Sequence, residues 1–502
     1  MKRRNPDVQG GDDPPSKQMF GQALVRGGAE GNECEDMYVD AMEDVDGEVI
    51  DCADEWEDPE KGEKLTRETE LMAMEDAAPE PETKIWSEAD GLQEGEELVH
   101  DPKAYDMLHQ LIMEWPCLSF DFIPDQLGAH RSTFPHELFF AAGTQASQSD
   151  KNKVLLCHAQ DLHCTRNDGD SSDDDDDDDV LDDDPVLAWR ELPCYGAVNR
   201  VRVCPHKPNI ISAWLETGNV VMLDANSELN ALGYYPGSQS AQNPSGSSGS
   251  SGKKKKKKKS SATLQTFQGH NMEGYAMDWS KVVPGAYLSG DCEGAIYLWH
   301  PNGGKWKVED TAFKGHEGSV EDIQWNPSDN VTFGSCGVDR TIRLWDCREP
   351  QKSLLCLKEA HTQDINVMSW NAKMPNLIVS GGDEGTFKIW DLRKTAKSKK
   401  PTPFIEMSFH KQPITSIEWH PHDESVLVLT SADNTTTLWD MDMKKDPEEI
   451  CHADAPQVPA QLLFVHRGQQ DVKEVRWHPQ IPGLMGTTAA NNFHLFKTIN
   501  SA

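Results

Sequence analysis

From about residue 99 onward the chain is a succession of short apolar runs separated by polar turns. Residues 320–325 (VEDIQW), 331–335 and 341–345 each read as a strand of about half a dozen residues, bounded by turn-forming positions. The pattern recurs. His270, His316, His361 and His410 are each followed nine residues later by Trp279, Trp325, Trp370 or Trp419, and 29 residues later by Trp299, Trp345, Trp390 or Trp439. An acid lies six residues before each later Trp: Glu293, Asp339, Glu384 and Asp433. The repeat is 45 to 49 residues long, enough for four strands and their turns, and its regularity predicts the blades of an all-β propeller. The same spacing run backwards marks a weaker blade over 194–225, with Cys194 at the His position. Run forwards, it marks another from His466 to Phe496, with Ala490 at the acid position. Strands at 137–142 and 153–159 complete a first blade, so seven are expected, over 117–502. Residues 117–123 are the expected partner for the strand ending at Phe496, because a propeller leaves no open edge.

Ahead of the first strand, Asp101 fits an N-cap, Pro102 a first helical turn and Pro116 a stop. Tyr105, Leu108, Ile112 and Trp115 then fall on one helical stripe, which predicts a helix over 99–116 docked against the propeller. With the propeller, that helix would form a groove for a partner's helix.

Charge changes the picture at both ends of the argument. Lys+Arg 48 against Asp+Glu 85 gives −37, yet residues 1–100 hold 30 acids and 9 bases, and residues 161–184 hold 13 and 1. Blanket neutralisation of nucleic-acid phosphate is excluded for such a chain. Residues 1–98 are too polar to bury a core and are expected to be a disordered acidic tail. Two low-complexity insertions follow. One is an acidic loop over 168–184 containing Asp173, Asp174, Asp175, Asp176, Asp177, Asp178 and Asp179. The other is a Gly/Ser linker over 236–262 containing Lys253, Lys254, Lys255, Lys256, Lys257, Lys258 and Lys259. The lysine run fits a nuclear-import signal, an RNA contact or a merely soluble loop. Ser171 and Ser172 border the Asp run and fit an acid-directed kinase.

No apolar run approaches the length of a membrane helix, and the N-terminus lacks a signal-peptide core, so a soluble intracellular chain is expected. The 12 cysteines contain no CxxC pair, and those inside apolar runs read as buried hydrophobes, without disulfides or zinc. No nucleophile elbow, zinc-protease, P-loop or dinucleotide motif is present, and no cofactor is expected. Four evenly repeated His/acid pairs suit a structural network of His, acid and Trp better than a single catalytic centre.

The Gly-His and Trp-Asp ends of the repeats (Gly269-His270, Gly315-His316, Trp345-Asp346, Trp390-Asp391, Trp439-Asp440) resemble the WD-repeat family. Three further stretches narrow the resemblance: residues 114–121 (EWPCLSFD), residues 142–145 (AGTQ) and residues 459–466 (PAQLLFVH). The chain resembles the histone-binding WD-repeat family of retinoblastoma-binding and chromatin-assembly subunits. Within that family, residues 94–98, residues 195–203 and the acidic loop bring it nearest to the glutamate-rich WD-repeat branch. The resemblance implies core histones and a basic large-subunit ribosomal protein as partners, a role in ribosome biogenesis, and residence in nucleus and nucleolus. It also implies an acidic loop beside the PxxLLF run, where Asp446, Glu448 and Glu449 stand, although Gln461 replaces an acid of the chromatin-assembly relatives. Residues 345–348 (WDCR) and 390–393 (WDLR) are similar to the WDxR pattern of cullin ubiquitin-ligase substrate receptors. That similarity makes Arg348 and Arg393 candidates for docking a ligase adaptor.

Overall fold

The computed structural model describes residues 101–166, 184–235, 262–395, 402–444 and 458–501. The acidic tail, the Asp run, the Lys run and Asp446, Glu448 and Glu449 lie outside the described residues.

Seven antiparallel sheets follow one another along the chain. The first blade is β2 (Cys117–Ile123), β3 (His136–Thr144), β4 (Lys153–Leu162) and β5 (Val186–Pro193). The next five blades span 198–267, 276–314, 320–357, 365–408 and 414–466. The seventh has three strands from 474–498, and its fourth and outermost strand comes from the other end of the described chain: β1 (Tyr105–Leu111). Because strands alternate in direction, all loops fall on two faces. The upper face holds the second-to-third connections and the links from each fourth strand to the next blade. The lower face holds the first-to-second and third-to-fourth connections among the described residues.

The helix expected over 99–116 is not there. Asp101 does cap, its Oδ1 accepting the Lys103 N–H at 2.9 Å, but the cap opens a single 3-10 turn, Pro102–Ala104. Tyr105, Met107, His109 and Leu111 then alternate inward while Asp106, Leu108 and Gln110 face the other way. That two-residue period overrode the stripe of Tyr105, Leu108 and Ile112, and Ile112 ends 87% exposed beyond the strand. Residues 117–123 are likewise not the closing strand but the innermost strand of the first blade.

β1 is held on both sides. It pairs with Phe493–Thr498 in register from Tyr105 opposite Thr498 to Leu111 opposite Phe493. On its outer edge the Leu108 N–H donates to Thr165 Oγ at 2.9 Å, and the Thr165 N–H donates to the Asp106 carbonyl at 3.0 Å. Tyr105 is buried edge-on against Phe464 and Phe496, and its hydroxyl meets His466 Nδ1 at 2.7 Å, while His466 Nε2 lies 2.9 Å from His494 Nδ1.

Between blades the core is layered. Trp214, Trp299, Trp345, Trp390 and Trp439 are fully buried. Close approach of neighbouring sheets requires glycine on the second strands. A Cβ on Gly143 would lie 2.4 Å from Val198 Cγ1, and one on Gly381 would lie 2.7 Å from Ile414 Cγ2, both on the next blade's innermost strand.

Removing only the Tyr105 hydroxyl, as in Tyr105→Phe, leaves a buried imidazole nitrogen short of a partner. The chain should lose about 1–2 kcal/mol in urea unfolding. Substituting exposed Ile112 by Ala should leave the unfolding midpoint in place.

Candidate partner-binding surfaces

Four blades share one polar chain, and its geometry assigns its protons. In the blade over 320–357, His316 Nδ1 donates to Asp339 at 3.0 Å, Ser335 Oγ donates to His316 Nε2 at 2.7 Å, and Trp345 Nε1 donates to Ser335 Oγ at 2.8 Å. The carboxylate can only accept, which fixes the direction of every later bond. The next blade repeats this with His361, Glu384, Ser380 and Trp390 at 2.6, 2.7 and 2.9 Å. The following blade uses His410, Asp433 and Trp439 with Thr437 in place of serine. Burial alone would raise the Asp339 and Asp433 carboxyls, but the His N–H and the neighbouring Thr hydroxyl bring both below the usual range.

The blade over 276–314 corrects one sequence assignment. His270 Nδ1 meets Asp291 Oδ2 at 2.8 Å, not Glu293, which is exposed and accepts from Asn271 at 3.1 Å. Asp291 stands two residues nearer the buried end of the turn and also accepts the Glu293 and Ala295 N–H groups. The sequence reading also missed the bridging hydroxyls. Ser289, Ser335 and Ser380 each lie ten residues before the later Trp, a spacing that would have revealed them.

The inner strands carry a second repeat. The residue before each inner Trp accepts the backbone N–H of the next blade: Asp278 from Trp325 at 2.8 Å, Gln324 from Trp370, Ser369 from Trp419 at 3.3 Å, and Glu418 from Trp477 at 2.7 Å. Asp121 accepts from Val203 in the same way at 2.8 Å. Arg202 and Arg476 fill the corresponding places in two blades and cannot accept. Arg202 Nη2 instead donates to Glu474 Oε1 at 2.7 Å, and Arg476 Nη1 lies 3.4 Å from Glu418 Oε1. Burial would raise Glu474, but Arg202 and Arg476 hold it down to about 2. Burial pushes Asp278 up to about 6.

The two WDxR arginines lie on neighbouring blades of the lower face. Arg348 Nε donates to Asp346 Oδ1 at 2.8 Å, and its Nη2 also reaches that carboxylate. Arg393 repeats the grip on Asp391 at 3.0 and 2.9 Å. Both side chains remain about two-thirds exposed, at 69% and 64%. The helix–propeller groove has no counterpart: Tyr105 is buried, Leu108 half-buried, and Ile112 sits on the upper-face loop. Among the described residues no group of three or more His, Cys, Asp or Glu is arranged to hold a metal.

The seven blades and the repeated acid–His–hydroxyl–Trp chain define a WD-repeat β-propeller protein. Residues 307–346, 351–391 and 402–440 match the WD domain, G-beta repeat, and residues 95–163 match the family of the histone-binding protein RBBP4 and its counterpart in the CAF1 complex. The chain is 40% identical over 464 residues to Protein HEAT STRESS TOLERANT DWD 1 of Arabidopsis thaliana, covering 87% of this chain and 96% of that one. It is 36% identical to the ribosome assembly protein rrb1 of Schizosaccharomyces pombe, covering 93% of each. It is 38% identical to the glutamate-rich WD repeat-containing protein 1 of Dictyostelium discoideum, covering 83% of this chain and 85% of that one. The chain belongs to the glutamate-rich WD-repeat family.

Asp278 keeps its proton to about pH 6 in the folded chain, whereas an unfolded Asp loses it near 4. Its contribution is therefore favourable below about pH 4 and is lost as the pH rises through 6. Asp278→Asn retains an oxygen for the Trp325 N–H. Its urea midpoint relative to the unaltered chain should climb between pH 4 and 6 and level off above.

Proposed function

We propose that this protein is a non-enzymatic escort for basic proteins, core histones and a basic large-subunit ribosomal protein, acting in nucleus and nucleolus during chromatin or ribosome assembly. The observation that carries the reading is the match of residues 95–163 to a histone-binding family, a stretch that includes β1 and the first three strands of the first blade. The names of the relatives in fission yeast and Dictyostelium point the same way. The acids supply a mechanism. Carboxylates of the Asp run compete with nucleic-acid phosphate for client Lys and Arg, and keep the client's charge covered until delivery. The histidines of the repeated His/acid pairs are buried and spent on bonds within their own blades, which supports a structural role for them.

Deleting residues 173–184 should weaken core-histone binding and flatten its salt dependence, because fewer ion pairs then form on binding. Unchanged affinity across a salt titration would sink the acidic insertion as a binding element.

A second reading has its own observation: the matched, exposed guanidinium forks of Arg348 and Arg393. Held by Asp346 and Asp391, they present fixed planar donors to a cullin ubiquitin-ligase adaptor. Arg348→Ala with Arg393→Ala should abolish adaptor pull-down and spare histone binding. Retained pull-down removes this reading.

A further inference from the structure

A blade's fourth strand has no neighbour on its outer side. Proteins keep such edges short or blunt them, because an exposed row of N–H and C=O groups recruits other chains. Five of the fourth strands here are four or five residues long: Thr263–Phe267, Lys305–Val308, Ser353–Leu357, Ile405–Ser408 and Leu462–His466. β1 is longer, at seven residues, but Thr165 latches its outer edge. β5 has eight residues, VLAWRELP, and among the described residues nothing covers it.

The register fixes which groups of β5 point outward. The Cys194 N–H donates to the Asn152 carbonyl at 2.9 Å, so the alternate residues Leu192, Arg190, Ala188 and Val186 turn their N–H and C=O groups to β4, and those between turn theirs outward. Among the described residues the N–H groups of Leu187, Trp189 and Glu191 have no acceptor. The Trp189 carbonyl accepts from the adjacent side chain, Arg190 Nη1 at 2.8 Å, which stands where a neighbouring strand would donate. The strand also exposes two large apolar side chains, Trp189 at 53% and Val186 at 49%.

We propose that the outer edge of β5 is a strand-addition site for an extended client segment, which pairs with Leu187, Trp189 and Glu191 and packs an apolar side chain on the Trp189 indole. Main-chain bonds along the edge give affinity, and the indole selects among segments. Charge decides against a second copy of this chain as the occupant. Residues 161–184, which lead directly into β5, hold 13 acids against 1 base, so two copies edge to edge would set like charges together, whereas a segment flanked by lysine or arginine is drawn in. The proposal rests on the escort reading and gives it a main-chain contact that salt does not screen.

The test uses the full chain and purified core histones. At saturating histone, amide hydrogen exchange in β5 should slow about tenfold or more, while exchange in Ser353–Leu357, a fourth strand on another blade, should not change. Glu191→Pro removes one outward N–H and no bond to β4, a change a strand tolerates only on an edge, and should weaken histone binding about tenfold. Trp189→Ser should also weaken binding and leave its salt slope unchanged, because no ion pair is removed. Should Glu191→Pro fail to fold, hydrogen exchange of the unaltered chain still decides. Unchanged exchange in β5 at saturation overturns the site, as does binding by folded Glu191→Pro within about twofold of the unaltered chain, and both outcomes leave the escort reading standing. Failure of the unaltered chain to bind histones overturns both.

Discussion

Closure of the ring by β1 against Phe493–Thr498 is the constraint on which the rest of the structure depends. A blade is an open sheet on its outer side and contacts its neighbours only through its faces, so the circle is no stronger than its last junction. Here that junction joins segments nearly the whole described chain apart, a contact that carries the largest loop-closure cost in the molecule. The strand is correspondingly over-determined. It has ladder bonds on one edge, the Thr165 latch on the other, and a buried hydroxyl–imidazole–imidazole contact at its start.

The inner strands solve a related problem without a ladder. Sheets of adjacent blades cannot pair edge to edge at the centre, so side chains reach across to satisfy the next blade's backbone. Asp, Gln, Ser and Glu all serve because each offers an acceptor oxygen. At the two arginine positions the charge becomes useful: Arg202 neutralises Glu474, which would otherwise be costly in so buried a place, and Arg476 lies against the half-buried Glu418.

Much of this was legible in the sequence. The His and Trp spacings located four blades, the weaker spacings on either side added two, and the strand pair at 137–142 and 153–159 brought the number to seven. The His–acid–Trp network was visible at three of its four acids. The closing strand was hidden because residues 105–115 satisfy two periods at once. Leu108, Ile112 and Trp115 mimic a helical face, while Tyr105, Met107, His109 and Leu111 obey the strand period, and only a partner with an unpaired edge decides between them. Asp291 was hidden for a similar reason: two acids stood two residues apart in one turn, and burial chose the nearer. The bridging hydroxyls keep one readable spacing in three blades, where Ser289, Ser335 and Ser380 stand ten residues before the later Trp, and lose it in the fourth, where Thr437 fills the role from a different strand.

The two faces differ in how freely their loops can grow. An upper-face link carries the histidine of a network, and the turn opposite carries its acid, so their lengths are set by hydrogen bonds of 2.6 to 3.0 Å. A third-to-fourth connection carries neither. Lengthening it meets only loop-closure entropy, about 0.6 kcal/mol for each doubling. The propeller thus has a rim of fixed loop length and an expandable one. Long, highly charged sequence can accumulate on the second over evolutionary time without disturbing a single bond of the first.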